Sequence, residues 1–351
     1  MKKVLLGMSG GVDSSVSALC LQRDGYEVIG VTLVFHAFKK DIEAQAKAAE
    51  VCEKLGIEHR IVDVQDEFKA IVEADFIKEY EQGLTPNPCA FCNRTMKFPS
   101  LVRAADSLGC DFIATGHYAN ITQDTEGVGL KPYQLRVPFD EYKDQSYMLY
   151  GLTQDILART IFPLNNISKP IVRKMEMRAG LGFSEISESQ DICFIEGDDY
   201  AAWLDEHGIN AEPGNVMHMG SGKVLGQHNG LHHYTIGQRK GLNVGGGTGE
   251  PLYVIAKDPI SNSLFVGPEN LQATESCKVR DLVWTSIEAP SAKRSCKVKI
   301  RYRSKAVPCQ IVPMEDGGVQ VFFNDAARAV APGQVAVFYS DGMVMGGGII
   351  C

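Results

Sequence analysis

The apolar run from Val4 to Met8 leads directly into Ser9-Gly10-Gly11-Val12-Asp13-Ser14-Ser15. A stretch from Ser14 to Arg23 follows, with Val16, Leu19 and Cys20 at helical spacing. A buried strand, a glycine loop and a helix in that order leave few folds open. A strand that feeds a helix returns to its sheet as a parallel neighbour through a right-handed crossover. Gly25 closes the predicted helix. A second strand at Glu27 to Val34, a helix from Asp41 to Leu55 closed by Gly56, and strands at His59 to Val64 and Asp111 to Thr115 continue the alternation. The expected fold class is therefore α/β, with a parallel sheet at the N-terminus. Ligands gather at the carboxyl ends of the strands of such a sheet, which marks the 9–15 loop and the turn Gly116-His117-Tyr118.

At that loop, backbone N–H groups and the dipole of the following helix converge on an anion. Gly10 and Gly11 let the backbone approach a phosphate; Ser9, Ser14 and Ser15 can donate to its oxygens, and Asp13 can orient the loop or help hold magnesium. The Lys that follows the second glycine of a Walker A loop is missing, and so is the dinucleotide Gly-x-Gly-x-x-Gly spacing. A bare glycine turn before a serine-capped helix is the plainer reading, and the strand and helix on either side weigh against it. Gly220-Ser221-Gly222-Lys223 imitates part of a phosphate loop but lacks its earlier glycine and following Ser or Thr; in β-rich sequence it reads as a hairpin turn.

Past Pro213 the chain becomes a series of short β runs broken by Gly, Pro and Asn, among them Leu252 to Ala256, Lys297 to Tyr302, Val319 to Phe323 and Val335 to Tyr339. With 351 residues, more than one core usually organises, the expected division is 1–207 for the α/β catalytic domain, 208–275 for a central β-rich domain and 276–351 for a C-terminal barrel. No apolar run approaches the roughly 18 residues of a membrane span, and Met1-Lys2-Lys3 runs at once into a strand, so a cytoplasmic address without membrane contact is expected.

Ten cysteines in such a chain read as reduced thiols to be argued singly. Cys89 and Cys92 lie three apart in the proline-rich loop Thr85-Pro86-Asn87-Pro88-Cys89. They suit half a zinc site, a redox pair or part of an iron–sulfur ligand set, and no second such pair completes a four-ligand zinc site. Cys193, flanked by Ile192 and Phe194 and followed by Glu196, Asp198 and Asp199, reads by itself as a buried apolar residue. Cys20, Cys52, Cys110, Cys277, Cys296, Cys309 and Cys351 read as bystanders. The net charge of −8 argues against nucleic acid, but residues 293–305 carry seven Lys or Arg and no acid. On a period-2 strand, Lys297, Lys299, Arg301, Arg303 and Lys305 would share one face, suited to a phosphate backbone. Arg239 and Lys240 can add a contact, and Arg94 and Lys97 can hold a backbone near the cysteine loop.

Taken together these segments resemble the tRNA-specific 2-thiouridylases of the MnmA type, in the PP-loop ATP pyrophosphatase superfamily. The resemblance is carried, in chain order, by Gly7 to Ser14, the Thr85 to Asn93 loop, Ala114 to Tyr118, Lys143 to Ser146, Cys193 to Ile195, Gly237 to Gly241, Arg301 to Arg303 and Pro332 to Gln334. It implies an adenine nucleotide hydrolase-like domain followed by two small β-barrels. It implies an ATP site at Gly7, Met8, Ser9, Gly10, Gly11, Val12, Asp13 and Ser14 with Leu33 and Gly116. Asn87, Pro88 and Cys89 would face the target base, and His117, Lys143, Asp144, Gln145, Arg301, Tyr302 and Gln334 would contact tRNA. Cys92 would be the nucleophile and Cys193 the persulfide carrier.

The implied reaction is thiolation of C2 of a uridine, at wobble position 34 of Lys, Glu and Gln acceptors. ATP and magnesium would generate an O2-adenylate, and a cysteine desulfurase or sulfur-relay protein would supply sulfur. Many family members carry Asp where this chain has Cys89, so Cys89, Cys92 and Cys193 could alternatively ligate three irons of a [4Fe-4S] cluster. The competing functions are another PP-loop enzyme that adenylates a small molecule, and a non-catalytic tRNA-binding sulfur carrier.

Overall fold

The structure, a computed structural model, describes all residues except 125, 126, 128, 183–191, 210, 243 and 245–249. Ser189 to Asp191, which precede Cys193 in its motif, lie outside the described residues.

The first strand, β1 (Lys3–Gly7), has Val4, Leu5 and Leu6 fully buried, and this forces it to the middle of its sheet. It pairs in parallel with β2 (Glu27–Val34) on one side and β4 (Phe112–Ala114) on the other. Outside these lie β3 (Glu58–Asp63) and the short β7 (Thr160–Ile161), giving the order β3-β2-β1-β4-β7. The crossovers run through α1 (Val12–Arg23) and α2 (Lys39–Leu55), the latter ended by Gly56 in the left-handed conformation as expected. Between β3 and β4 the chain forms two long helical stretches, each interrupted by a π-helical turn, at Lys69–Glu73 and at Asn93–Lys97. The second of these turns directly follows the helix Pro88–Cys92.

A hairpin of β5 (Asn120–Gln123) and β6 (Tyr133–Arg136) leaves the parallel sheet and reaches the C-terminal domain, where Arg136 pairs with Met343. The middle of the chain builds β8 (Gly214–His218), β9 (Val224–His228), β10 (Tyr253–Asp258) and β11 (Ser263–Gly267) in the order β10-β11-β8-β9. The turn between β8 and β9 is the Gly220 to Lys223 segment, closed by His218 N–H on the Lys223 carbonyl at 2.8 Å, which makes it the hairpin turn expected.

The C-terminal strands are β12 (Ala273–Val283), β13 (Arg294–Lys299), β14 (Val307–Pro313), β15 (Val319–Arg328), β16 (Val335–Ser340) and β17 (Met343–Ile350). They run in the order β12-β15-β14-β13-β16-β17, and β17 pairs back onto β12, so these six strands close into a barrel, from which the β6–β5 hairpin extends beside β17.

One reading changes. The basic strand stops at Lys299, and residues 300–304 form a turn, so the cationic residues do not share one continuous face. Lys297 is exposed and Val298 buried, as alternation demands. Lys299, by contrast, is covered: its ammonium lies 3.8 Å from Asp144 and over the rings of Tyr147 and Tyr302. The barrel meets the α/β domain here, and the contact covers what would otherwise be the solvent face. That contact is a true core, in which Leu5, Phe98 and Tyr147 pack with Val335, Val337 and Tyr339. The Tyr147 hydroxyl donates to the Val335 carbonyl at 2.8 Å.

Candidate functional site

At the carboxyl ends of β1, β2 and β4 the structure contains a recess of about 420 Å³. One wall is the glycine loop. Gly10 there has φ of +71°, and a Cβ on it would run into the Ala44 carbonyl of α2. Gly116, at the end of β4, approaches so closely that a Cβ would sit 2.8 Å from the Ser14 nitrogen. Only glycine at these two places lets the loop lie against both neighbours.

Ser14 and Ser15 both donate to the Gly11 carbonyl, at 3.1 and 2.8 Å, and the Ser9 N–H donates to Ser14 Oγ at 3.2 Å. Asp13 accepts from Lys169 Nζ at 2.7 Å through each oxygen and from the Tyr118 hydroxyl at 2.8 Å. These contacts tie the start of α1 to the helix Lys169–Ala179.

Cys89, Cys92 and Cys193 all line this same recess, although about 100 residues separate the first two from the third. The helix Pro88–Cys92 presents its pair; Asn87 caps it by accepting from the Ala90 N–H at 3.0 Å, and Pro88 occupies the first turn, where its missing N–H costs nothing. All three cysteines are free thiols. Cys89 and Cys193 are reached by solvent through the mouth of the recess, yet protein surrounds them on the other sides. Burial pushes all three thiols up, Cys193 to about 12, with the neighbouring sulfurs adding to the shift at Cys193. The opposing influence on each is Lys97, the only Lys or Arg among the described residues that line the recess. Lys97 therefore turns inward to the thiols. Arg94 lies over the Phe91 ring.

His117 lines the recess too, its Nδ1 2.8 Å from Thr115 Oγ1 and its ring near Phe98 and Phe162. Burial drives its pKa down to about 3, so it is a neutral imidazole at pH 7. Two lining residues had no signal in the sequence. His36 Nε2 and Asp41 Oδ2 are buried without a hydrogen-bond partner. Burial lowers the His36 pKa to about 4 and raises that of Asp41. Unpaired buried polar atoms in a recess are groups that a ligand can satisfy.

The remaining residues singled out in the sequence are spread around this centre. Leu33 and Gln145 line the recess, and the Gln145 Oε1 accepts from the Tyr118 N–H at 2.8 Å. Asp144 accepts from the Ser146 N–H at 2.9 Å, and Lys143 is half-buried beside it. Gln334 does not enter the recess; it donates to the carbonyls of Thr85 and Pro86 at 2.9 and 3.0 Å. The same segment is held by the Thr85 N–H on the Pro332 carbonyl, at 2.9 Å, and by Lys257 Nζ on the Leu84 carbonyl, at 3.2 Å. Both β domains thus grip the backbone just ahead of Cys89. Arg301 donates to the carbonyls of Ile236 and Ala329, at 2.7 and 2.9 Å, joining the central and C-terminal domains, and Tyr302 packs toward Tyr147.

Among the seven bystander cysteines, Cys296 and Cys309 face each other across β13 and β14 with sulfurs 3.5 Å apart, and the others remain separate from the recess. Among the described residues, no helix is long and apolar enough to cross a membrane.

Comparison with known proteins adds an independent line. Residues 2–197 match the family described as tRNA methyl transferase HUP domain, 202–268 the tRNA methyl transferase PRC-barrel domain, and 274–350 the aminomethyltransferase beta-barrel domain. The tRNA-specific 2-thiouridylase MnmA of Rippkaea orientalis is 46% identical over 354 residues, covering 100% of this chain and 99% of that protein. Proteins of the same name from Nostoc punctiforme and Trichlorobacter lovleyi are 44% and 43% identical, each covering 100% of this chain and 99% and 98% of their own length. A solved structure, the U34-tRNA thiolase NcsA from Methanococcus maripaludis with its [4Fe-4S] cluster, aligns with a TM-score of 0.37 at 21% identity over 59% of this chain and 64% of that one, a likeness too slight to carry an argument.

Proposed function

Since the chain belongs to the tRNA-specific 2-thiouridylase family, we propose that it is an ATP-dependent sulfurtransferase that replaces O2 of a tRNA uridine with sulfur. We place the uridine at the wobble position of Lys, Glu and Gln acceptors. The observation that carries this reading is that one recess is lined both by a phosphate-type glycine loop and by three thiols. An enzyme that only adenylates has no use for the thiols, and a sulfur carrier has none for the loop.

Oxide is a poor leaving group, so the uridine O2 must first be activated. Attack of O2 on the α-phosphate of ATP forms an O-adenylate and releases pyrophosphate, with magnesium and the loop N–H groups sharing the charge. Asp13, tied to Lys169 and Tyr118, keeps those N–H groups aimed. A sulfur donor such as a desulfurase or relay protein loads Cys193 as a persulfide. The Cys92 thiolate then attacks Cys193 Sγ and expels hydrosulfide, which displaces AMP from C2. A Cys92–Cys193 disulfide remains, and an external dithiol returns it to two thiols. Lys97 is the cation placed to stabilise the sulfur anions of this sequence.

Cys89 favours a second reading. Three cysteines in one recess match the donor count of a [4Fe-4S] cluster with one open iron, and they do not converge within 4.8 Å as a set for a single ion. Cys89, Cys92 and Cys193 would hold such a cluster, which when bound would supply an open iron for hydrosulfide. Anaerobic purification with iron analysis and a visible spectrum separates the routes; full activity without iron excludes the cluster.

The test of the function is incubation with unmodified tRNA, ATP, magnesium and a sulfur donor, followed by nucleoside mass spectrometry. Appearance of 2-thiouridine is expected. Its absence under both persulfide and anaerobic cluster-reconstituted conditions refutes the proposal. Pyrophosphate release that tRNA does not stimulate points instead to a small-molecule substrate, and tRNA binding without pyrophosphate release to a carrier.

A further inference from the structure

Three potential metal ligands meet away from the recess. Asp205 lies in the last turn of the helix Tyr200–Glu206, and His232 and His233 are adjacent in the turn Leu231–His233 that follows β9. His232 Nε2 lies 2.7 Å from one carboxylate oxygen of Asp205, and His233 Nε2 lies 3.4 Å from the other. One ligand atom from each residue falls within 4.8 Å of the other two, and among the described residues this is the only such group. From this convergence we infer that Asp205, His232 and His233 form a binding site for a divalent transition-metal ion of the zinc class.

The donor set suits that class. Two imidazole nitrogens and one carboxylate oxygen are the ligands of borderline metals, whereas calcium and magnesium prefer oxygen alone. Zinc held at about 2.0–2.1 Å by each ligand needs donor atoms a little over 3 Å apart; the two carboxylate–imidazole separations, 2.7 and 3.4 Å, bracket that spacing, and all three donor atoms lie within 4.8 Å of one another. His232 is 3% exposed, while the side chains of Asp205 and His233 are about a third exposed, which leaves a solvent side for a water ligand. A hydrogen-bonded Asp–His pair accounts for His232 by itself. It does not account for the second imidazole, which points its own Nε2 at the other oxygen of the same carboxylate.

The site also has a structural consequence. Its two halves belong to different parts of the chain, the helix after the Cys193 segment and the central β domain. Trp203 on that helix packs edge-on against Phe194, the neighbour of Cys193, and against Phe76. A metal ion joining Asp205 to the 231–233 turn would therefore anchor the helix against which the Cys193 segment rests. Lys257 is the cation whose field opposes such an ion, since it also acts on His232.

The test uses the full-length protein, stripped with a chelator and titrated with zinc or cobalt. The expected result is one tightly held ion whose X-ray absorption shows nitrogen and oxygen ligands. Affinity should fall about 100-fold or more in His233→Ala and in Asp205→Asn, because even outer-shell changes lower metal affinity by about 10–100-fold. Cobalt at this site gives no thiolate charge-transfer band, which distinguishes it from binding at Cys89, Cys92 or Cys193. Zinc should raise the melting temperature of the wild type and leave that of His233→Ala unchanged. Equal metal affinity in wild type and both variants, ligation by sulfur alone, or no retained ion overturns the inference.

Discussion

Replacing Gly10 by Ala probes the phosphate loop most directly, because the structure separates two effects that such a change usually mixes. The first is conformational: with φ of +71° an L residue loses about 1–2 kcal/mol. The second is steric, since the new methyl would overlap the Ala44 carbonyl and approach its Cα to 2.9 Å. Those atoms belong to the backbone of α2, so nothing flexible can yield, and overpacking of this kind adds about 1–3 kcal/mol. Gly25 provides the control. It has φ of +85° and nothing within 4 Å of its would-be Cβ, so Gly25→Ala carries the conformational effect alone.

Both variants should therefore lose about 1–2 kcal/mol in urea denaturation, with Gly10→Ala losing the steric increment as well. If the loop escapes the overlap by moving off α2, that increment appears in ATP handling. At about 1.4 kcal/mol per decade it corresponds to roughly a 5- to 150-fold fall in kcat/KM for ATP in tRNA-dependent pyrophosphate release, against little change in Gly25→Ala. Equal stability and equal ATP kinetics in the two variants would refute the reasoning, because the structure would then have the wrong contact between the loop and α2.

Other perturbations test the thiols and the grip on the cysteine loop. Cys193→Ser should abolish 2-thiouridine formation, measured by nucleoside mass spectrometry, while tRNA-dependent pyrophosphate release persists; thiolation at the wild-type rate contradicts the role given to Cys193. Lys97→Met should lower the thiolation rate at least tenfold, and Lys97→Arg should recover part of it, because the charge and not the packing is removed and restored. Gln334→Ala removes two hydrogen bonds to Thr85 and Pro86 and should lower thiolation about 10- to 100-fold with less than about 2 kcal/mol lost in denaturation, as expected of a positioning residue.

Lys257 gives a pH test. Burial holds its amine at about 8, below the ordinary 10.5, so between these values the unfolded chain binds the extra proton and this lysine makes stability rise with pH. The stability of Lys257→Met relative to wild type should thus be greatest at pH 7 and decline toward pH 10 in urea melts; a constant difference contradicts the burial.

Much of the fold was legible because it is written in local pattern. The fully apolar Val4 to Leu6 permits only a central strand, Gly56 stops a helix, and the texture past Pro213 marks strands separated by turns, although β12 runs longer than the short strands expected. The basic strand was misread past Lys299 because alternation reports a preference for faces. It does not say which face another domain will cover. His36 and Asp41 carried no signal for a similar reason: a lone His or Asp near a helix start is common, and only its surroundings make its polar atoms unpaired.

The glycine loop and the three-residue spacing of the thiols at 89 and 92 belong to the sequence, but the pair lies on the helix Pro88–Cys92, with Cys92 buried, and not in the proline-rich loop expected, because Asn87 and Pro88 start a helix there. The tertiary structure alone brought Cys193 across some hundred residues into the same recess, turned Lys97 inward to face all three sulfurs, and used Gln334 and Lys257 to hold the backbone at 84–86. Such placements depend on which surfaces are buried together. Burial is a property of the packed whole, and no stretch of chain contains it.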